Sequence, residues 1–184
     1  MEKKTDQIIR IALIGPESTA KSTLSEQLAG HYKTVWVQEY SREYLALINR
    51  KYTLEDVLKI AQQQLELEKE LIKKANRFIF ADTELIVSKV WCEDVFHISP
   101  DWIIKNILPT QYELYLLTAP DLPWQEDPVR ENPHRREFFF NWYESELKAI
   151  NARYVIINGI GNVRLQNAIT AIENFYALLF EGKK

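Results

Sequence analysis

The residues that most directly predict chemistry are Gly15-Pro16-Glu17-Ser18-Thr19-Ala20-Lys21-Ser22-Thr23. They match the pattern G-x-x-x-x-G-K-[ST], except that Ala20 stands at the second glycine. In such a loop, backbone N–H groups and a helix N-terminus bind phosphate oxygens. Lys21 is predicted to contact the β- and γ-phosphates of ATP, and Ser22 to ligate Mg²⁺. A methyl group at Ala20 is tolerable if that residue is near helical φ/ψ, but otherwise it could crowd the phosphate.

Two carboxylates end predicted strands, where they could serve phosphoryl transfer. Asp82 follows an apolar stretch, the place where phosphate-loop enzymes keep a carboxylate that holds Mg²⁺ through water. Glu39 also ends a strand and could accept the proton of an attacking hydroxyl. Other roles stay open, since Asp82 could cap a helix and Glu39 could be a first-turn acid favoured by the helix dipole. Glu84 could face the same crevice. We predict catalytic roles for Glu39 and Asp82, and a metal-ligand role for Asp82.

A proline-rich segment, residues 119–136, is a predicted lid. It holds four of the seven prolines, so it is expected to be non-helical and stiff. Its side chains able to contact a ligand are Trp124, Asp127, Arg130, His134, Arg135 and Arg136. Lid arginines can close over a triphosphate and neutralise charge that develops in transfer, and Trp124 offers a flat face that suits a cationic ring best. The alternative is a loop pinned by an aromatic ring and ion pairs.

The order of elements around these residues predicts an α/β fold. Short apolar stretches rich in β-branched residues indicate buried parallel strands at 8–14, 35–40, 78–82, 112–117 and 154–157. Helical patterns alternate with them, at 21–32, 41–49, 54–75, after 82, after 99–101, 136–150 and 163–180. Thr53 and Asp56 resemble a capping box for the long helix. This alternation predicts a three-layer fold with a parallel five-stranded sheet covered by helices on both faces. Ligands bind such sheets beyond the carboxyl ends of the strands.

Composition limits the remaining possibilities. The 184 residues are 46% hydrophobic, enough for a sizeable core, and no linker interrupts them, so we expect one domain over 1–184 with a polar tail at 1–7. Five glycines exclude a low-complexity chain, and the single Cys92 cannot form an internal disulfide. The net charge of −3 argues against a nucleic-acid partner. No apolar stretch is long enough to span a membrane, which favours a cytoplasmic protein.

Together these residues resemble the ribosylnicotinamide kinase domain of the NadR family, over about residues 8–175. The resemblance rests on the phosphate loop, on Glu39-Tyr40-Ser41-Arg42-Glu43-Tyr44, on Asp82-Thr83 and on Trp124-Gln125-Glu126-Asp127-Pro128-Val129-Arg130. The last stretch fits a W-x-x-D-x-x-R lid signature and is the most specific part. Two positions depart from the family pattern, Ala20 for glycine and Glu84 where aspartate is frequent. The DNA-binding and adenylyltransferase domains that accompany many family members are not expected within these residues.

The resemblance implies a phosphate-loop kinase that converts nicotinamide riboside and ATP, with Mg²⁺, to nicotinamide mononucleotide and ADP. Catalytic roles then fall to Lys21, Glu39, Asp82 and Arg130. The implied ATP contacts are the loop from Gly15 to Thr23 with Arg135 and Arg136, and the implied substrate contacts are Glu39, Tyr40, Arg42, Trp124, Asp127 and Arg130. Kinases for another nucleoside or small metabolite, and a nucleotide-binding regulator with little turnover, remain as alternatives. The other tryptophans, Trp36, Trp91, Trp102 and Trp142, are expected in the core.

Overall fold

Five parallel strands form the centre of the computed structural model, which describes residues 7–181. Their order across the sheet is β2-β3-β1-β4-β5, and every pairing is parallel. The bounds are β1 Ile9–Ile14, β2 Trp36–Val37, β3 Phe78–Asp82, β4 Leu114–Thr118 and β5 Tyr154–Ile157. The predicted α/β class and five-stranded sheet are therefore confirmed, while residues 1–6 of the predicted tail lie outside the described residues.

Helices cover both faces of this sheet, as predicted. They are α1 Lys21–Tyr32, α2 Tyr40–Leu47, α3 Leu54–Leu71, α4 Leu85–Phe96, α5 Asp101–Ile107, α6 Arg136–Ala149 and α7 Asn162–Glu181. Helices α1 and α7 share one apolar core with the sheet, and α3, α4, α5 and α6 share the other. In β1, Ile11 and Leu13 face the first core while Ala12 and Ile14 face the second, because side chains alternate along a strand.

Strand β2 is shorter than its sequence predicts. The prediction of a strand over 35–40 is wrong beyond Val37, because α2 already begins at Tyr40. Only two residues of β2 pair with β3, Trp36 with Phe80 and Val37 with Ala81. Beyond them, the backbone of Gln38 and Tyr40 forms hydrogen bonds with the side chain of Gln64 on α3 instead of with a neighbouring strand.

Helix α3 begins as predicted and ends early. The N–H of Thr53 donates to the Asp56 carboxylate at 2.7 Å and the N–H of Asp56 donates to Thr53 Oγ1 at 3.4 Å, a reciprocal capping box. The helix ends at Leu71, and residues Ile72–Lys74 form one 3₁₀ turn, so the predicted extension to Ala75 is wrong. Ala75 is extended because the chain there enters β3.

The strand register brings four strand ends to one place. Leu13 lies beside Asp82, Ile14 beside Leu117, and Val37 beside Ala81. The loop that follows β1 and the residues after β2, β3 and β4 therefore meet at the carboxyl edge of the sheet, where open α/β sheets bind ligands.

Candidate active site

The phosphate loop, residues 15–20, is anchored to the end of β4. Gly15 has φ +143°, and a Cβ there would lie 2.7 Å from the Thr118 carbonyl oxygen, so only glycine fits. The Thr19 hydroxyl lies 2.7 Å from the Thr118 hydroxyl and donates to the Pro16 carbonyl at 2.8 Å. These contacts fix the curve of the loop against the sheet before any ligand binds.

Lys21, the first residue of α1, bends back over this loop. Its Nζ donates to the carbonyl oxygens of Gly15 and Pro16, both at 2.9 Å. An ammonium group has three donors on a flexible stem, so it can exchange these carbonyls for phosphate oxygens. Ser22 and Thr23 line the same cavity, so the whole predicted loop faces a common space.

Ala20 adopts a left-handed backbone conformation. Its φ is 60° and its ψ is 29°, so the condition that it be near right-handed helical angles is not met. Ser18, with φ 57°, is left-handed as well. This conformation costs roughly 1–2 kcal/mol for a residue with a Cβ, which is why the sequence pattern has glycine at position 20.

Asp82 ends β3 as a fully buried carboxylate. Neither of its oxygens has a hydrogen-bond partner of normal geometry among the described residues. Burial, together with the charge of Glu39, raises the pKa of Asp82 above its ordinary value, and Lys21 opposes the rise. A buried carboxylate that lacks such a partner among the described residues and lies near the Ser22 hydroxyl fits a hydrated Mg²⁺, which prefers oxygen ligands and retains water. Its alternative role as a helix cap is not observed, because Glu84 caps α4 by accepting from the Ile86 N–H at 2.9 Å.

Glu39 stands immediately before α2 and lines the cavity. It makes no side-chain capping bond to that helix, so the first-turn role does not occupy its carboxylate. Arg42 lies 3.4 Å from it, measured from Nε to Oε2. The Arg42 Nη1 also donates to the Asp127 carboxylate at 2.8 Å. Arg42, which itself lines the cavity, therefore bridges a candidate base and the lid.

The lid segment contacts the phosphate loop through the side chains of two loop residues. The Glu17 carboxylate accepts from the N–H groups of Glu131 at 3.1 Å and Asn132 at 2.9 Å. The Ser18 hydroxyl accepts from the Gln125 N–H at 2.9 Å. The sequence predicts ATP contacts for both Glu17 and Ser18; both residues line the cavity, and their side chains also hold the lid backbone.

The remaining lid residues divide between the cavity and its surroundings. Arg130 lines the cavity and donates to the Gln125 carbonyl at 2.5 Å. Arg135 also lines it but makes a two-point ion pair with Asp94, at 2.5 and 3.0 Å. Arg136 donates to the Leu122 carbonyl at 2.7 Å. Arg136 and Trp124, whose ring lies 6.0 Å from the Arg136 guanidinium carbon, are not among the described residues that line the cavity.

Tyr40 is the predicted substrate residue that the structure places elsewhere. Its side chain lines a separate groove between α2, α3 and α5, beside Lys59 and Trp102. The reason is the early end of β2, since Tyr40 is the first residue of a helix and no longer continues the strand toward the cavity. Tyr40 therefore lines this groove and is not among the described residues that line the cavity beside the phosphate loop.

The cavity beside the phosphate loop has a volume of about 1270 Å³. Its lining includes the phosphate loop, Glu39 and polar residues of the lid, and also the rings of Tyr52, Trp91, Phe139 and Tyr143. Trp91 packs against the core as expected and also faces this space. A volume of this size, lined by both polar and aromatic residues, suits a nucleotide with a second, ring-bearing ligand.

Two buried residues at the site are not predicted by the sequence patterns. Arg164, on α7, donates to the carbonyls of Thr19, Ala119, Ile157 and Gly159 and pairs with Asp121. Gln64, on α3, contacts the backbone beside Glu39. The sequence does contain an indication for Gln64, because this polar residue lies on the apolar stripe of its helix, three residues after Ala61. No comparable signal pointed to Arg164.

The parallel sheet, the phosphate loop and the carboxylates at the strand ends define a phosphate-loop nucleotide-binding protein of the α/β class. Among the described residues, no helix is both long and apolar enough to cross a membrane. The chain belongs to the AAA_28 family of AAA domains, whose family model matches residues 10–164.

Comparison with known proteins confirms the resemblance found in the sequence. The chain is 28% identical over 151 residues to the trifunctional NAD biosynthesis/regulator protein NadR of Salmonella typhimurium, covering 79% of this chain and 37% of that protein. It therefore spans little more than a third of that relative. A crystal structure of NadR protein in complex with NR superimposes with a TM-score of 0.78 at 23% identity, over 91% of this chain and 51% of the other. Deoxyadenosine kinase from M. mycoides with bound dATP gives a TM-score of 0.60 at 13% identity, over 90% and 99%.

Proposed function

We propose that this chain is an ATP-dependent kinase that phosphorylates the ribose of nicotinamide riboside, giving nicotinamide mononucleotide and ADP. The observation that carries the proposal is one edge of the sheet, where Lys21 beside the phosphate loop, the buried Asp82 and the cavity-lining Glu39 come together. The similarity to NadR supports the choice of riboside.

The phosphate loop would hold ATP through its backbone N–H groups and the N-terminus of α1. Lys21 would leave the carbonyls of Gly15 and Pro16 and contact the β- and γ-phosphates. The fixed curve of the loop supplies donors that need no rearrangement during transfer, which is the main electrostatic contribution expected of such a site.

Ser22 and Asp82 would hold Mg²⁺, Ser22 through its hydroxyl and Asp82 through its buried carboxylate, which lies near the Ser22 hydroxyl. The ion would screen phosphate charge when bound. A cation there favours the ionised form of Asp82 and so reverses the effect of burial on its pKa.

Glu39 would act as the general base. In the proposed step the ribose hydroxyl oxygen forms a bond to the γ-phosphorus while the bond from that phosphorus to the bridging oxygen of ADP breaks. The hydroxyl proton passes to the Glu39 carboxylate. Arg130, on the lid, would neutralise negative charge on the transferring group.

The riboside would occupy the part of the cavity between α2 and the lid. Arg42 and Asp127 line it and are joined at 2.8 Å, so they present one donor group and one acceptor group to sugar hydroxyls. Trp124 is proposed to contact the pyridinium ring, whose positive charge gains from an aromatic face. Trp124 would reach the cavity only after a movement of the lid, while Arg135 and Arg136 would turn to the phosphates in the same movement.

The second candidate is a kinase for another nucleoside. The aromatic part of the cavity, with Tyr52 and Trp91 at 5.0 Å between ring centroids, would accept neutral bases as well as a cationic ring. A nucleotide-binding regulator with little turnover is the remaining candidate, and the strained Ala20 in the phosphate loop favours it.

The deciding experiment measures ADP release across a panel of nucleosides beside calorimetric titration with Mg²⁺·ATP. Selective turnover of nicotinamide riboside supports the proposal, whereas turnover of other nucleosides alone supports the second candidate. Tight ATP binding without nucleoside-dependent ADP release would exclude both nucleoside kinases and leave the regulator or a kinase for a small metabolite that is not a nucleoside. With the active nucleoside, Glu39→Gln should lower kcat by about 10²–10⁴-fold, and Glu43→Gln on the same helix is the matched control.

A further inference from the structure

Gln64 is a buried amide on α3 that lies between the two proposed catalytic carboxylates. It is only 6% exposed, although it belongs to a helix whose neighbouring glutamines, Gln62 and Gln63, face solvent. Glutamine is rarely buried without partners, because an unpaired amide in the interior loses its hydration and gains no hydrogen bond in return. The partners of Gln64 are therefore informative.

All three of its hydrogen bonds go to backbone groups beside Glu39 and Asp82. Gln64 Oε1 accepts from the Tyr40 N–H at 2.9 Å, and Nε2 donates to the Gln38 carbonyl at 3.1 Å. The same Nε2 donates to the Asp82 carbonyl at 3.3 Å. One side chain thus holds the residues on both sides of Glu39 and the backbone of Asp82 itself.

These bonds replace a missing part of the sheet. Strand β2 stops at Val37, so the backbone at Gln38 and Tyr40 has no partner strand. A primary amide is the side chain that offers an acceptor and two donors together. An ionised glutamate would face the two carbonyl oxygens with acceptors only, and methionine would offer neither an N–H donor nor an amide acceptor.

We propose that Gln64 is a positioning residue, which fixes Glu39 and Asp82 relative to each other for phosphoryl transfer. This inference rests on the proposed function of the two carboxylates. Small displacements of a catalytic group cost large factors in rate, about 10²-fold for 1 Å. Gln64 needs no contact with ATP or nucleoside to act in this way, since it is not among the described residues that line the cavity.

The primary test is Gln64→Met, which keeps the length and shape of the side chain and removes all three bonds. We expect kcat with the active nucleoside to fall about 10–100-fold, while KM for ATP changes less than about threefold because the phosphate loop is untouched. Gln63→Met, on the exposed side of the same helix, should leave both constants unchanged. Gln64→Glu, which keeps the acceptor and lacks both donors at neutral pH, should show the same loss of kcat and serves if the methionine variant does not fold.

A second readout separates positioning from a general loss of stability. We compare the fold-loss of kcat that Gln64→Met causes in the wild type with the fold-loss it causes in the Glu39→Gln variant. The second fold-loss should be smaller by at least about threefold, because the base that Gln64 positions is already gone. Independent losses would multiply in full, and that result would overturn the inference. A kcat of Gln64→Met within about twofold of wild type would overturn it as well.

Amide hydrogen exchange tests the geometry without any turnover. Gln64→Met should speed exchange in a peptide that covers residues 38–47, and leave α7 unchanged. If the wild type phosphorylates no nucleoside, the proposed function fails, and exchange together with Mg²⁺·ATP titration still decides whether Gln64 holds these segments. Unchanged exchange at residues 38–47 would overturn the role of Gln64 while leaving the kinase proposal intact.

Discussion

The guanidinium of Arg42 and the carboxylate of Asp127 are joined at 2.8 Å across 85 residues of sequence. Arg42 belongs to α2, beside the candidate base, and Asp127 belongs to the lid segment. The Arg42 guanidinium, which donates this hydrogen bond, lowers the pKa of Asp127 below its usual range. The pair therefore links the position of the lid to the end of β2.

Disrupting this link should impair use of the nucleoside. Arg42→Ala and Asp127→Asn are each expected to lower kcat/KM for the nucleoside about tenfold, which corresponds to about 1.4 kcal/mol. The double variant should also lose about tenfold, since the second change removes a contact that is already lost. Steady-state kinetics measures all three, and Asp101→Asn, in an exposed pair with Lys105 on α5, is the control. A hundredfold loss in the double variant would mean that the two residues act separately.

The left-handed Ala20 leads to a prediction about stability and nucleotide binding. Ala20→Gly should raise the free energy of unfolding by about 1 kcal/mol, because relief of roughly 1–2 kcal/mol of strain exceeds the entropy that glycine adds to the unfolded chain. ATP should also bind more tightly without the methyl group in the loop. Urea unfolding and calorimetric titration measure the two effects. Ala46→Gly, on the exposed face of α2, should instead lower stability by about 1 kcal/mol.

The roles of Trp124 and of the cavity-lining Trp91 can be compared by the charge of the ligand. Trp124→Leu should raise KM for nicotinamide riboside about tenfold and KM for a neutral nucleoside much less, because a cation over an indole face gains about 1–2 kcal/mol. Trp91→Leu should raise both values alike, since Trp91 offers apolar contact in the cavity wall. If only Trp91→Leu raises KM for nicotinamide riboside more than KM for a neutral nucleoside, the pyridinium ring lies against Trp91 in the cavity wall and the role given to Trp124 is wrong.

A pH-dependent contribution to stability is expected from Asp56 at the start of α3. The Arg50 guanidinium, followed by the Tyr44 hydroxyl and the Thr53 backbone, lowers the pKa of Asp56. The folded state thus keeps this carboxylate ionised at pH values where the unfolded chain, with a pKa of about 4, binds a proton. The stabilisation is complete above that value and is lost as pH falls toward the lowered folded pKa.

The measurement is the urea midpoint of wild type and Asp56→Asn at pH 7 and at pH 3. Asp56→Asn should be less stable than the wild type at pH 7, and the difference between their urea midpoints should be smaller at pH 3. Glu55→Gln, an exposed residue of the same helical turn paired with Lys59 at 3.2 Å, is the control and should change little. A difference that stays constant between the two pH values would contradict the assignment.

Local features of this fold can be predicted from the sequence because neighbouring residues determine them. The Thr53 and Asp56 capping box involves residues three apart, and β3 occupies the range Phe78–Asp82 that its apolar stretch predicts. Errors arise where distant segments decide the outcome. Strand β2 ends at Val37 and α2 begins at Tyr40, and the backbone of Gln38 between them is bound by Gln64 of α3, 26 residues away in sequence.

The same distinction between local and long-range determinants applies to the candidate site. The order of residues from Gly15 to Thr23 by itself determined a phosphate loop between a strand and a helix, and the carboxylates Glu39 and Asp82 at strand ends followed from the alternation of elements. Only the tertiary structure decided that Tyr40 points away from the cavity, that Glu17 holds the lid, and that Gln64 holds the backbone beside both carboxylates. Spacing along the chain determines which residue types can act together, whereas burial and hydrogen bonds between segments far apart in sequence decide where each side chain is held.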